Sequence, residues 1–311
     1  MALETISRRE ADPDIWDAAV RAARQRHFFF ETAYIDYHAD RFADASLLVL
    51  EKGRPIAALP ATRHGDEIRS HGGLTFGGLL VGPAVGAGKV LDVLAAALTR
   101  WGDEGVSTAV VKPVPHIYHV APAEEELFAW HLHGARLDAR HLSQAVARGA
   151  DLSWADGRRH AVRRGSEAGL SVGRGDGIEE FMEMERELLL QRHGVEPVHT
   201  AAEMRLLADR FRDSIKLFEA RLDGELVAGI LVYETPLVAH AQYIAASDRG
   251  RELHAQDALT AHLLTDVYAE KPWFDFGISN ERDGTLNVGL ARNKEGFGAR
   301  SVTYDRYVLT L

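Results

Sequence analysis

The chain has 311 residues, 46% of them hydrophobic and 26% charged, with 36 basic and 46 acidic side chains for a net charge of −10. That length and composition suit two ordinary domains of a water-soluble protein, and the acidic balance speaks against a generally basic nucleic-acid surface while leaving room for a local patch. No cysteine is present, which excludes disulfides, thiolate metal sites and a cysteine nucleophile together and makes a reducing cytoplasm the expected location.

The opening stretch "MALETISRREADPDIW" has no basic segment followed by an apolar one, so no secretory leader is expected. Residues 14–24 read as an amphipathic helix. The stretch "LLVLEKGRPIAALPATRHGDEIRSHGGL" then reads as three strands joined by glycine turns. The longest uncharged run, residues 74–88, is too short and too rich in glycine to cross a bilayer. A helix over 89–101 and a strand at "STAVVKPV" follow, with another amphipathic helix over 124–133.

The second half opens with the basic helical stretch "ADGRRHAVRRGSEAGL". In "DGIEEFMEMERELLLQRHG", Asp176 is the candidate N-cap and Gly194 the stop. Thr200 and Glu203 form a capping box for the next helix. A second meander, "KLFEARLDGELVAGILVYETPLVAHAQYIAAS", leads to a helix over 255–268, the strand "WFDFGISN" and a final strand region ending "SVTYDRYVLTL". The turn glycines Gly53 and Gly224 are 171 residues apart, and the strands after the two helices, starting at Ser107 and Trp273, are 166 apart. One α+β unit used twice accounts for both offsets. The expected division is 1–150 and 151–311, with the last strand able to pack back on the first unit.

"GPAVGAGKV", residues 82–90, has the glycines and lysine of a phosphate loop. A P-loop needs G-x-x-x-x-G-K-[ST], and here Pro83 stands at the first glycine and Val90 at the hydroxyl, so an ATP loop is rejected. A helix N-terminus offering amides to an anion and a plain flexible turn both remain.

Two such units in one chain resemble the bacterial FemAB-type, or tandem-GNAT, transferases. The resemblance is carried by "GRRHAVRRGSEAGLSV", by "RHGVEPVHT", and by "FDFGISNERDGTLNVGLARNKEGFGARSVTYDRYVL" with its K-x-G-F-G element. It covers residues 150–311 well and the first half only in layout. It implies an α/β protein of the α+β kind, two GNAT-like units in tandem, each a mixed, mostly antiparallel sheet flanked by helices. FemAB proteins transfer an amino acid from aminoacyl-tRNA to an amine, and other members use acyl-CoA. The implied carrier is therefore acyl-CoA or aminoacyl-tRNA, with no metal, and the implied acceptor is a small molecule, sugar or peptide. In the GNAT pattern Q/R-x-x-G-x-G/A seats the pyrophosphate of coenzyme A. The first half ends that pattern with Gly86 and Gly88 but lacks its leading side chain, and the second half keeps Arg249 and Arg251 with His254 where glycine is expected.

Acyl transfer needs a proton acceptor, an oxyanion donor and anion contacts for the carrier. His240 on "VAHAQYIAA" is the candidate base, and Gln242, two residues on, is expected on the same face for substrate; a hydrogen-bonded core histidine satisfies the same pattern. Asp275 stands in an apolar strand and needs a reason to be there; with Ser279 it is a catalytic candidate, and a structural hydrogen bond is the other reading. Tyr243, Ser247, Arg249, Arg251, His254, Lys294, Gly296, Phe297 and Gly298 are the candidate carrier contacts, and His193 and His199 candidate acceptor contacts. Arg158, Arg159, Arg163 and Arg164 form a basic helix face, solvated or offered to tRNA. The excess of acidic over basic side chains tilts the carrier toward acyl-CoA. Two rivals stand beside the transferase: a non-catalytic tandem-GNAT module for a nucleotide-linked ligand, and a hydrolase, which "GISNE" does not support because Glu281 replaces the last glycine of G-x-S-x-G. His131 and His133 have no third ligand at metal spacing.

Overall fold

The computed structural model describes residues 3–150 and 153–311, the side chain of His193 excepted. The chain divides into two compact units: Met1–His141 with Thr303–Leu311, and Leu142–Val302.

In the first unit, β1 (Glu4–Ser7) leads to α1 (Pro13–Ala22), which starts one residue earlier than its apolar pattern because Asp12 caps it and Pro13 occupies the first helical position. The short α2 (Thr32–Ile35) and β2 (Ala43–Asp44) precede the meander, which consists of β3 (Leu47–Glu51), β4 (Arg54–Leu59), β5 (Thr62–His64), β6 (Glu67–Arg69) and β7 (Leu80–Val81). Next come α3 (Ala87–Asp103), β8 (Thr108–Val111) and α4 (Glu125–Leu132), with β9 running Arg136–Ala147. Strand orders are β1-β3-β4-β7 and, in the second layer, β8-β6-β5-β2. Val90, Val93, Leu94, Ala97, Leu98 and Trp101 of α3 are buried. Their spacing is the stripe of a helix laid on a sheet, and they share a core with Val49, Ala57, Leu59 and Val111.

In the second unit, α5 (Asp156–Ser166) and β10 (Ser171–Gly175) are followed by α6 (Ile178–His193) and α7 (Ala201–Arg210). Thr200 and Glu203 complete the capping box of α7. The cap of α6 differs from the sequence reading: Gly177, not Asp176, is the N-cap, because its amide donates to Glu219 Oε1 while Asp176 turns to Arg205. The meander is β11 (Ile215–Leu222), β12 (Glu225–Glu234) and β13 (Val238–Ala246). The connection after it holds α8 (Asp248–Glu252), a helical turn where a polar loop is expected. Then come α9 (Ala255–His262), a π-helical turn over Leu263–Val267, β14 (Trp273–Ile278), α10 (Val288–Glu295) and β15 (Arg300–Thr310). The sheet runs β10-β11-β12-β13-β14-β9, antiparallel except for β13 with β14.

Its two faces are distinct. Ala228, Ile230, Val232, Ala239 and Ala241 share a core with Ala255 and Leu259 of α9 and Leu263 of the π-helical turn. Glu219 and its partners Gly229 and Ala245 face α6, since Glu219 binds the Gly177 amide and a side chain at Gly229 would strike Phe181.

Candidate active site

Strands β13 and β14 pair at three positions only, the last being His240 with Asp275. β13 continues to Ala246 and β14 to Ile278, so the strands part beyond that pair. The local cause is in β14. Its register against β9 breaks between Asp275 and Ile278, and Gly277 sits at φ 78°, which only glycine adopts at little cost. Lys294 of α10 then donates to the carbonyls of Gly277 and Ile278 at 2.7 and 2.8 Å. Burial pushes this ammonium down to about 8, with the charge of Asp275 acting in the opposite direction.

A histidine–carboxylate pair stands at the fork. His240 Nδ1 lies 2.9 Å from Asp275 Oδ2. Asp275 is fully buried, and its Oδ1 accepts from the Ser143 hydroxyl and, at 3.0 Å, from the Gly277 amide. With Oδ1 already accepting two donors, Oδ2 is the oxygen that meets the imidazole, and a hydrogen bond from Nδ1 to it would leave Nε2 free of the carboxylate. His240 retains 12% side-chain exposure, and a side chain at Gly277 would touch its Cε1. The pair thus has the parts of a general base held by a second group.

A bulge in β13 shapes the neighbourhood. Register against β12 shifts between Leu231 and Val232, so Tyr243 faces Leu231 and Ala241 faces Val232. The extra residue is Gln242, and strict alternation fails there: Tyr243 joins His240 on the α6 face. The Gln242 Oε1 is buried and meets no donor. Tyr243 shares a 2.7 Å hydrogen bond with His199 Nδ1. The side chain of His193 lies outside the described residues.

Glu185 on α6 was not singled out in the sequence. It continues the buried stripe Ile178, Phe181, Met182, which packs across β12 and β13. Its Oε2 is buried without a donor, and burial pushes its carboxyl up to about 7. Phe181 covers Gly229 of β12, and α6 packs on both β12 and β13, the face on which Tyr243 and His240 stand. A carboxylate in an apolar stripe was the signal. Ser143, on β9, was also missed.

The other expected residues are held in the scaffold. Ser279 is fully buried with its hydroxyl on Gln144 and its backbone tied to Leu142 and Asn287. Ser247 caps α8 by accepting from the Gly250 amide. Arg249 pairs with Glu252 at 3.2 Å, and Arg251 binds the Ala246 carbonyl and Asp248. His254 enters α9 at φ 54°, in the left-handed region where glycine was expected. Its pKa is lowered by burial and by Arg164, His160 and Arg158. Its carbonyl presses on Gly165 of α5, where any side chain would collide. Arg158 ties α5 to Asp257 in the first turn of α9 and to the Asn293 carbonyl, and lies 4.3 Å over the Phe297 ring. The K-x-G-F-G element is thus a corner driven into the core: Phe297 is 3% exposed, Gly296 abuts Arg158 and Gly298 has φ 83°. Arg159, His160, Arg163 and Arg164 remain exposed on α5. No group able to hold a metal occurs among the described residues, and no helix there is long and apolar enough to cross a membrane.

Residues 155–283 match the acetyltransferase (GNAT) domain family. Among solved structures, FemX superposes with a TM-score of 0.73 at 12% identity over 99% of this chain and 97% of that one. The C-terminal domain of a putative lysylphosphatidylglycerol synthetase from Agrobacterium fabrum gives 0.60 at 13% identity over 95% and 90%. A tandem GNAT protein from the clavulanic acid biosynthesis pathway gives 0.52 at 15% over 99% and 98%. Identities this low speak for the fold. No curated protein matches the chain significantly.

Proposed function

We propose that this chain, which shares its fold with FemX and with a tandem GNAT protein and whose residues 155–283 match the GNAT domain family, transfers an acyl or aminoacyl group from a carrier to an amine, with the fork of the second unit as the active site. The observation that carries this reading is His240 paired with Asp275 where β13 and β14 separate. The acyl carbonyl enters the fork, and the acceptor nitrogen attacks its carbon. His240 Nε2 takes the proton from that nitrogen, and Asp275 steadies the resulting imidazolium. The carrier's sulfur or oxygen leaves with the electron pair of the broken bond and receives a proton. Backbone amides of β13 beyond His240, unmatched by β14, are the oxyanion donors. Lys294 holds the departing end of β14 in place, and Glu185 receives the acceptor's amine on the α6 side. The acceptor is a small molecule, a sugar or a peptide.

One observation favours aminoacyl-tRNA over acyl-CoA, against the tilt of net charge. The turn before α9, where a pyrophosphate would seat, is packed on α5 and carries Asp257 in the first helical turn. A carboxylate there opposes a second anion. The neighbouring α5 exposes Arg159, Arg163 and Arg164, a patch suited to a polyanion. The test is transfer to a small amine panel from acetyl-CoA, longer acyl-CoAs and charged tRNA, with wild type and His240→Ala. The expected result is turnover from charged tRNA, reduced about 10²-fold or more in His240→Ala. Salt-sensitive binding weakened by Arg163→Ala/Arg164→Ala is expected with it. Carrier binding with no turnover would make the chain a binding module, and acyl-CoA turnover unaffected by the arginines would return the carrier to coenzyme A.

A further inference from the structure

We propose that the second unit carries another ligand site, for a small organic anion with an apolar body, in a cavity lined by Arg174, Lys216 and Lys271. The cavity measures about 410 Å³, within the range of small-molecule sites. Its walls are Phe218, Pro236, Val267, Tyr268 and Pro272. It sits at the end of the sheet where β13 and β14 begin, on the face that packs against α9, away from the opening of the fork.

The charge inventory points to an anion. Glu234 is central: Lys216 Nζ lies 2.6 Å from its Oε2, Lys271 Nζ 2.9 Å from its Oε1, and the Tyr268 hydroxyl donates to it at 3.3 Å. One carboxylate thus serves two ammonium groups, whose side chains are only 20% and 16% exposed. Glu270, also at the rim, is turned to Arg148. Arg174 bonds the Arg212 carbonyl at 3.3 Å and meets no carboxylate among the described residues. Three cations therefore share one available carboxylate around a concave, half-dry space. Lys216 and Lys271 are largely buried and Arg174 stands exposed at the rim, so an anionic headgroup entering the cavity would meet two poorly solvated ammonium groups and a guanidinium at its mouth. The apolar walls set the rest of the ligand: a bare inorganic ion would leave Phe218, Val267 and the prolines uncovered.

The sequence builds this cavity on purpose-made geometry. The π-helical turn Leu263–Val267 widens the end of α9, leaving Val267 40% exposed at the rim while Tyr268 turns under it. Such single π turns recur at functional sites. Arg174 stands on β10, the edge strand, so it reaches the cavity without disturbing the core.

The experiment is calorimetric titration of the whole chain with hexyl phosphate, hexanoate, inorganic phosphate and hexanol, using wild type, Arg174→Gln and Lys216→Met. Hexyl phosphate, hexanoate or both should bind, with inorganic phosphate and hexanol at least about tenfold weaker. Arg174→Gln should weaken the bound anion about tenfold, and resonances of Tyr268 should shift on titration of wild type. Lys216→Met tests the same prediction from the buried side, and unfolding curves check that both variants fold. The proposal falls if neither amphiphile binds at millimolar concentration. It also falls if Arg174→Gln binds as well as wild type, or if inorganic phosphate matches hexyl phosphate. If hexanoate binds and hexyl phosphate does not, the headgroup is a carboxylate; the reverse assigns a phosphate ester.

Discussion

The two units build the same strand pair and finish it differently. In the first, β6 runs parallel to β8 over Glu67–Thr108, Ile68–Ala109 and Arg69–Val110. In the second, β13 runs parallel to β14 over Val238–Trp273, Ala239–Phe274 and His240–Asp275. Beyond the third pair the second unit opens, and the first is laced shut. Ser70 N donates to the Val110 carbonyl at 2.9 Å, Lys112 N donates to the Ser70 hydroxyl at 2.8 Å, and Gly77 N donates to the Lys112 carbonyl at 2.7 Å. The Lys112 ammonium binds the Leu74 carbonyl, and burial pushes it down to about 8. The residue at the fork differs too. Arg69 lies half in solvent, bonded to Glu67 on its own strand, where the second unit has an imidazole on a buried carboxylate. A fork makes a reaction site only when its freed backbone stays free and a proton acceptor stands at its vertex.

The sharpest way to break that comparison is to change both vertices. Asp275→Asn keeps the shape but offers His240 an amide, removing the acceptor that holds Nδ1–H. Transfer should fall by roughly 10²–10⁴-fold, while Arg69→Ala should stay within about twofold of wild type. His240→Gln serves as the second variant, since Asp275 is buried and its loss also costs stability. Equal losses at Arg69 and Asp275, or no loss at either, would end the assignment of the second fork as the reaction site.

Much of this contrast was readable in the chain and some was not. The repeated meander, helix and strand were visible because glycine turns and apolar alternation are local signals. His240 and Asp275 each stood out, one as a titratable group on an apolar strand and one as a carboxylate without an obvious partner. Their mating was not visible, because parallel pairing of residues 35 apart leaves no trace in periodicity. Ser143 lies in "RLDARHLSQAVA", whose polar first half hides a strand. Alternation puts Gln242 on the face of His240, but the bulge at Gln242 brings Tyr243 there instead, and a bulge is an insertion that alternation does not announce. The lacing at Ser70 was hidden by "SHGGLTFGG", which reads as loop either way.

A smaller effect sharpens the site from its α6 side. The carboxyl of Glu185 is raised from 4.5 to about 7, so the fold favours its protonated form. That contribution is whole below pH 4.5 and is lost as pH rises through about 7. It amounts to on the order of 3 kcal/mol. Glu185→Gln should therefore gain stability relative to wild type as pH rises across this window, read from urea midpoints at both ends. A difference between the two proteins that does not change with pH would mean that Glu185 is already satisfied in the fold. Loss of transfer in Glu185→Gln without a change in the unfolding midpoint at low pH is the companion result expected of an acceptor-binding residue.

The smallest effect concerns the closed fork. Ser70 is 6% exposed, and its hydroxyl is the acceptor for the Lys112 amide. Ser70→Ala leaves that amide without a partner beside the buried Lys112 side chain. An orphaned buried donor costs about 1–3 kcal/mol, which for a unit of this size lowers the melting midpoint by a few degrees. Transfer should be unchanged at temperatures well below that midpoint, because opening this fork exposes Arg69 and Val110 rather than a base and its carboxylate. Calorimetry and a transfer assay on the same sample decide it. A lowered midpoint with unaltered transfer fits a fork closed for stability. Transfer changed more than about twofold with the midpoint untouched would mean that the lacing at Ser70 serves the reaction itself, and the division of labour between the two forks would have to be redrawn.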